Sequence, residues 1–132
     1  MFLNWTEDIA VGVGVIDEQH KKLFEHLNSF VEAVDSDAGS GEIDRVVGFL
    51  DTYVVEHFDT EELMMKEVSC PGMEEHIGQH RIFIDSLQEV KRTLARDGAT
   101  DDIALMLRSN LCNWLFSHIL MLDRRMGLFI KN

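Results

Sequence analysis

The sequence predicts an all-α fold, an up-down-up-down antiparallel four-helix bundle preceded by an N-terminal arm. Three observations carry this prediction. Apolar residues recur at steps of three and four along four stretches. These stretches are of comparable length and are joined by short turns rich in Gly, Ser or Pro. No stretch alternates as a half-buried strand would. A chain of 132 residues has room for one substantial core, so a single domain over 1–132 is expected.

Residues 1–16 hold Gly12 and Gly14 and show no sustained period, which makes them the arm, with Trp5 anchoring it on the bundle. The first helix is predicted over about 17–37, opened by the Asp17 carboxylate as its cap. Its apolar face is Leu23, Phe24, Leu27, Phe30, Val31 and Val34; His20 shares that face and His26 lies on the other side. After Gly39-Ser40-Gly41 the second helix runs over about 41–67, and its inward positions read Ile43, Val47, Leu50, Val54, His57, Glu61 and Met64. The turn Ser69-Cys70-Pro71-Gly72 leads into the third helix, about 72–97, with Met73, His76, His80, Phe83, Leu87, Val90 and Leu94 inward. Gly98 suits the C-terminal cap of that helix. Thr100 caps the fourth, about 100–129, where Asp101 and Asp102 favour the positive end of the helix. Its inward positions are Ile103, Leu107, Leu111, Trp114, His118 and Met121 or Leu122.

Charge and composition exclude several classes. The formal net charge of −12 argues against nucleic acid or an anionic membrane as partner, because either needs a basic face. The N-terminal residues lack a basic leader and a long apolar run, and the longest uncharged stretch, Ser109 to Leu122, is too short to span a bilayer. Cys70 and Cys112 show no Cys-x-x-Cys spacing and read as reduced thiols of a cytoplasmic protein.

Chemistry enters where polar residues occupy core slots. His57 and Glu61 are four apart and so project side by side, as do His76 and His80. A buried carboxylate or unpaired imidazole is costly unless it is charge-paired or bound to a metal. Antiparallel neighbours pair residues that are equally far from the turn between them. On that ruler His20 faces His57, the Glu61 and His57 pair faces His76 and His80, and His118 and Asp123 return to the same height. Asp123 fits least well: five residues beyond His118, it lies about 140° round a regular helix and needs a local distortion to reach inward. Seven ligands exceed what one ion takes, whereas two ions about 3.5–4 Å apart and bridged by Glu61 and Asp123 accommodate them. Imidazole with carboxylate suits iron, manganese or zinc better than calcium. The Met64, Met65 and Met73 cluster reads as gap-filling core. Asp59 and Glu62 read as solvated, or as acceptors behind a ligand.

This set of motifs resembles the hemerythrin family, specifically its single-domain bacterial members: Trp5 in the arm, Asp17-x-x-His20, His57-Phe58-x-x-Glu61-Glu62, His76-x-x-x-His80 with Phe83, and Trp114-x-x-x-His118-Ile119 leading to Asp123. The resemblance covers nearly the whole chain. It implies two non-haem iron ions, one held by His76, His80 and His118 and the other by His20 and His57. Glu61, Asp123 and an oxo or hydroxo group would bridge them. It further implies reversible O2 binding, as hydroperoxide at the two-His iron, for storage, delivery or sensing. Trp114 and Leu115 would line the O2 pocket, and Phe24, Phe58 and Phe83 would form its dry wall, although plain core packing accounts for all five as well. The chain would then be a binding protein and not an enzyme. A di-iron redox enzyme acting on peroxide or nitric oxide, or oxidising ferrous ion, would use the same ligands and stays open as the alternative. Oligomeric state is open, and a monomer is compatible with the sequence. Cys70 departs from the family, which often has an aromatic residue before Pro71, so the second turn is where a difference is expected.

Overall fold

The computed structural model describes residues 3–36 and 39–131; the first two residues of the arm and the predicted helix end at Asp37 lie outside them. Helix α1 runs Gly14–Asp35, α2 Ser40–Glu67 and α3 Met73–Asp97. A fourth helix, α4, is one continuous helical run over 101–131. Helix α1 packs on α2, α2 on α3, α3 on α4, and α4 closes the ring against α1. Short turns between consecutive helices reverse the chain each time, giving an all-α bundle with an N-terminal arm that includes a 3-10 turn at Glu7–Ile9.

The arm is shorter than the sequence suggests. Helix α1 starts at Gly14, because Ile16 is fully buried and extends the stripe of His20, Leu23 and Leu27 one turn backwards. Asp17 therefore does not cap the helix. Its carboxylate turns outward to the arm and accepts from the backbone N–H of Val11 at 2.8 Å and of Gly12 at 3.2 Å. Gly12 adopts a φ of 88°, the left-handed region where glycine carries no side-chain penalty. Further along, Leu3 and Asn28 exchange two hydrogen bonds of 2.7 Å. Trp5 is half-buried, with the Lys21 ammonium 4.5 Å above its ring. The closest approach is at Gly127 of α4, where a Cβ would stand 2.2 Å from the Val11 carbonyl oxygen.

The other caps follow local chemistry. Gly72 and Gly98 flank α3 with φ of 77° and 76°. Thr100 accepts from the Ile103 N–H at 3.2 Å, and the helix extends two residues past the predicted end at 129. Cys70 does not disturb the second turn: it is buried, and its N–H donates to the Met65 carbonyl at 2.9 Å. On α2 the buried stripe ends on Met65, four residues after Glu61, while Met64 is only half-buried.

The main departure is in α4. Segments Leu107–Asn113 and Ile119–Asp123 are π-helical, between α-helical Asp101–Met106, Trp114–His118 and Arg124–Lys131. A π segment closes i→i+5 hydrogen bonds, so the inward face advances by an extra residue. After the first segment the buried positions become Leu115, His118 and Ile119, and Trp114 is only half-buried. Met121, expected inward as one of two choices, is 72% exposed; Leu122 is half-buried.

Candidate metal centre

Four helices deliver seven titratable side chains to the middle of the bundle. Helix α1 contributes His20, α2 His57 and Glu61, α3 His76 and His80, and α4 His118 and Asp123. All seven are buried. The regular pairs of α2 and α3 arrive by their spacing of four. Asp123 arrives because the second π segment begins just after His118 and ends on Asp123 itself, bringing residues five apart into line.

Every imidazole turns Nε2 to the centre. Glu61 Oε2 lies 3.2 Å from His20 Nε2 and 2.8 Å from His57 Nε2, while Glu61 Oε1 lies 3.0 Å from His80 Nε2 and 3.4 Å from His76 Nε2. Asp123 Oδ2 lies 3.0 Å from His20 Nε2, and Asp123 Oδ1 lies 2.8 Å from His76 Nε2 and 3.1 Å from His118 Nε2. Each carboxylate thus turns one oxygen to each side. The donors fall into two groups, His20 with His57 and His76 with His80 and His118, and both groups share Glu61 and Asp123. Within each group the donor atoms lie within 4.8 Å of one another.

Without a metal these groups hold one another's charges. Burial alone would lower the His20 and His76 pKa values, but hydrogen bonds and charge from Asp123 and Glu61 outweigh it and push each up to about 9. Burial would raise the Glu61 pKa, yet the charge on His57 and hydrogen bonds from His20, His57 and His76 hold it well below the usual range. Asp123 is depressed in the same way: burial and the Glu61 charge act upward, and the contacts with His118 and His20 win. The pairing is incomplete. His57 Nε2, His118 Nε2 and Asp123 Oδ2 are buried and close to their neighbours without hydrogen-bond geometry. Orphaned lone-pair donors converging from opposite sides fit shared cations better than shared protons.

Aromatic side chains wall the centre. Phe58 stacks on His80 with ring centres 3.9 Å apart at 7°, and Phe83 meets Phe58 edge to face at 5.8 Å. Trp114 stacks on His118 at 4.7 Å and 11°, so it covers the group of three histidines. Leu115 is fully buried one turn before His118, and Phe24 is buried on α1. His26 stays outside, tilted against Tyr53 at 5.2 Å.

Two polar residues back the centre from outside. Glu62 Oε2 accepts from His80 Nδ1 at 2.8 Å, one of the two roles its position allowed; Asp59 is exposed. Gln19 Oε1 accepts from His57 Nδ1 at 2.8 Å. No pattern in the sequence singles out Gln19, because its role depends on a partner on a different helix.

Comparison with known proteins agrees with this geometry. A family model described as "Hemerythrin HHE cation binding domain" matches residues 11–127. The chain is 38% identical over 120 residues to a bacteriohemerythrin of Stenotrophomonas maltophilia (strain R551-3), a match covering 89% of this chain and 74% of that one. It is 30% identical over 93 residues to a myohemerythrin of Theromyzon tessulatum, covering 70% and 72%. A wild-type hemerythrin crystal structure shares the fold, with a TM-score of 0.84 at 24% identity and 100% of both chains covered.

Proposed function

The chain belongs to the hemerythrin family, and on that premise we propose that it binds O2 reversibly at two non-haem iron ions, for storage, delivery or sensing of the gas. The observation that carries this reading is the donor set: five imidazole Nε2 atoms and two carboxylates, all buried, in two groups that share both carboxylates. We read residues 1–132 as one domain of this kind, since the family match and the four-helix ring span nearly the same residues.

In this reading His76, His80 and His118 would hold one ion and His20 and His57 the other, with Glu61 and Asp123 available to both. The chemistry such a pair supplies is exchange of two electrons with O2, one from each ion. The side chains decide how that chemistry runs. The group with two imidazoles has one donor fewer than its neighbour and so leaves a position open to an outside ligand. Among the described residues two carboxylates belong to the donor groups, whereas bundle centres of the Glu-x-x-His type use four Glu and two His. Less negative charge keeps the reduced form accessible and favours binding over oxidation. Phe24, Phe58 and Phe83 are buried and exclude water, and the protons it carries, from the surroundings of the site.

Leu115 and Trp114 would line the O2 pocket in this reading, with Leu115 near the open position and Trp114 stacked on His118 beside it. Leu115→Ala is expected to retain two iron ions per chain while changing the rate of O2 release severalfold, measured by stopped-flow absorbance. An unchanged rate would remove Leu115 from the pocket.

A cytoplasmic location is part of the proposal. It is supported by two free, buried cysteines, Cys70 and Cys112, which suit a reducing compartment. Among the described residues no helix is long and apolar enough to cross a membrane.

A further inference from the structure

A histidine that binds metal through Nε2 carries its proton on Nδ1, and the acceptor of that proton decides how much electron density the ring passes to the metal. Here the acceptors differ between the two groups. In the three-histidine group, His80 Nδ1 donates to a carboxylate oxygen of Glu62 at 2.8 Å. In the two-histidine group, His57 Nδ1 donates to the amide oxygen of Gln19, also at 2.8 Å. The orientation of the amide is fixed. Gln19 Nε2 donates to Thr60 Oγ1 at 3.3 Å, and Thr60 Oγ1 donates to the Glu56 carbonyl at 2.9 Å. Gln19 therefore presents oxygen, not nitrogen, to His57. His20 Nδ1 and His118 Nδ1 are buried with no acceptor among the described residues. One charged acceptor stands behind one group and one neutral acceptor behind the other.

We propose that Glu62 and Gln19 are positioning residues that make the two iron sites electronically unequal. The inference rests on the di-iron reading above. The Glu62 carboxylate draws the His80 proton toward itself and makes that ring a stronger donor, which favours the oxidised state of the three-histidine site. The neutral Gln19 amide leaves His57 an ordinary donor, which keeps the site with the open position easy to reduce. Phe58 stacks flat on His80, whose side chain is 1% exposed, and the Glu62 side chain is 30% exposed. A charge-assisted hydrogen bond to a ring so far out of water is stronger than a neutral one.

The test uses two isosteric changes, Glu62→Gln and Gln19→Glu, in the iron-loaded protein at constant pH. The first readout is the midpoint potential from titration with a mediator dye. Each ferric ion takes one electron, and the dye is oxidised by the same count. Glu62→Gln is expected to raise the potential and Gln19→Glu to lower it. The second readout needs no iron: in the zinc-substituted protein the His80 Nδ1 proton resonance lies far downfield and moves upfield in Glu62→Gln. Zinc affinity of that variant falls about tenfold, the lower end of what loss of such a partner costs. Glu62→Asp restores part of both effects.

Equal potentials in all three proteins, or shifts of the same sign in both variants, would overturn the proposal, since a packing disturbance has no reason to change sign. Its failure is distinguishable from failure of the O2 reading. The latter shows as irreversible oxidation of the unaltered protein, the former as identical potentials in proteins that bind O2 reversibly.

Discussion

His118 reaches the centre through Nε2 and has no hydrogen-bond partner on Nδ1 among the described residues. Its ring is held by Trp114 stacked on one face, by the rings of His76 and His80 with centres at 4.8 and 5.1 Å, and by whatever Nε2 binds. His118→Ala should therefore cost both a ligand and a strut. Iron content is expected to fall below two per chain and the melting temperature of the loaded protein to drop, because metal-binding energy is folding energy. A fully loaded, equally stable variant would remove His118 from the ligand set. At this scale the chemistry was largely legible. Polar residues in core slots are conspicuous, and His20, His57, Glu61, His76 and His80 all fall on regular helical steps. What stayed hidden was Gln19, whose contact with His57 is a matter of how α1 faces α2.

Helix α4 shows where reading by period stops. A 3.6-residue period places Trp114 and either Met121 or Leu122 inward, but each π segment inserts one residue into the inward face and hands the full burial to Leu115, Ile119 and Asp123. The spacing of five between His118 and Asp123 was a clue to the second segment, since no regular helix puts both in one site. The first segment left no such clue, because its shift merely exchanges one apolar residue for another. The arm depends on α4 in turn. Its backbone crosses at Gly127, and Gly127→Ala would drive a methyl into the Val11 carbonyl. Forcing the arm to lift is expected to cost about 1–3 kcal/mol, measured by denaturant unfolding. Unchanged stability would mean that the arm is not anchored there. Asp17 belongs to the same contact: read as a helix cap from sequence, it ties the arm to α1 instead.

The molecule as a whole closes four helices around a charged core that hydrogen bonds alone leave unsatisfied. In the metal-free protein the raised pKa values of His20 and His76 set a sign. Their contribution to stability is fully present below the unfolded value of about 6.5 and is lost as pH rises through about 9. Iron binding has the opposite dependence, because the imidazoles must release their protons to bind. Melting temperatures of metal-free and iron-loaded protein are thus expected to diverge between pH 6.5 and 9, the former falling. A gap that narrows over that range would contradict the pairing described between the imidazoles and the two carboxylates. Topology was legible at this scale because short turns between long amphipathic stretches admit few other arrangements.

The central claim is reversible O2 binding, and anaerobic optical titration of the reduced, iron-loaded protein with O2, followed by purging with argon, tests it most directly. The account predicts a near-ultraviolet and visible charge-transfer spectrum that grows with O2 and disappears under argon over repeated cycles. Immediate conversion to a ferric form that argon does not reverse would contradict it and would point to a di-iron redox enzyme acting on peroxide or nitric oxide.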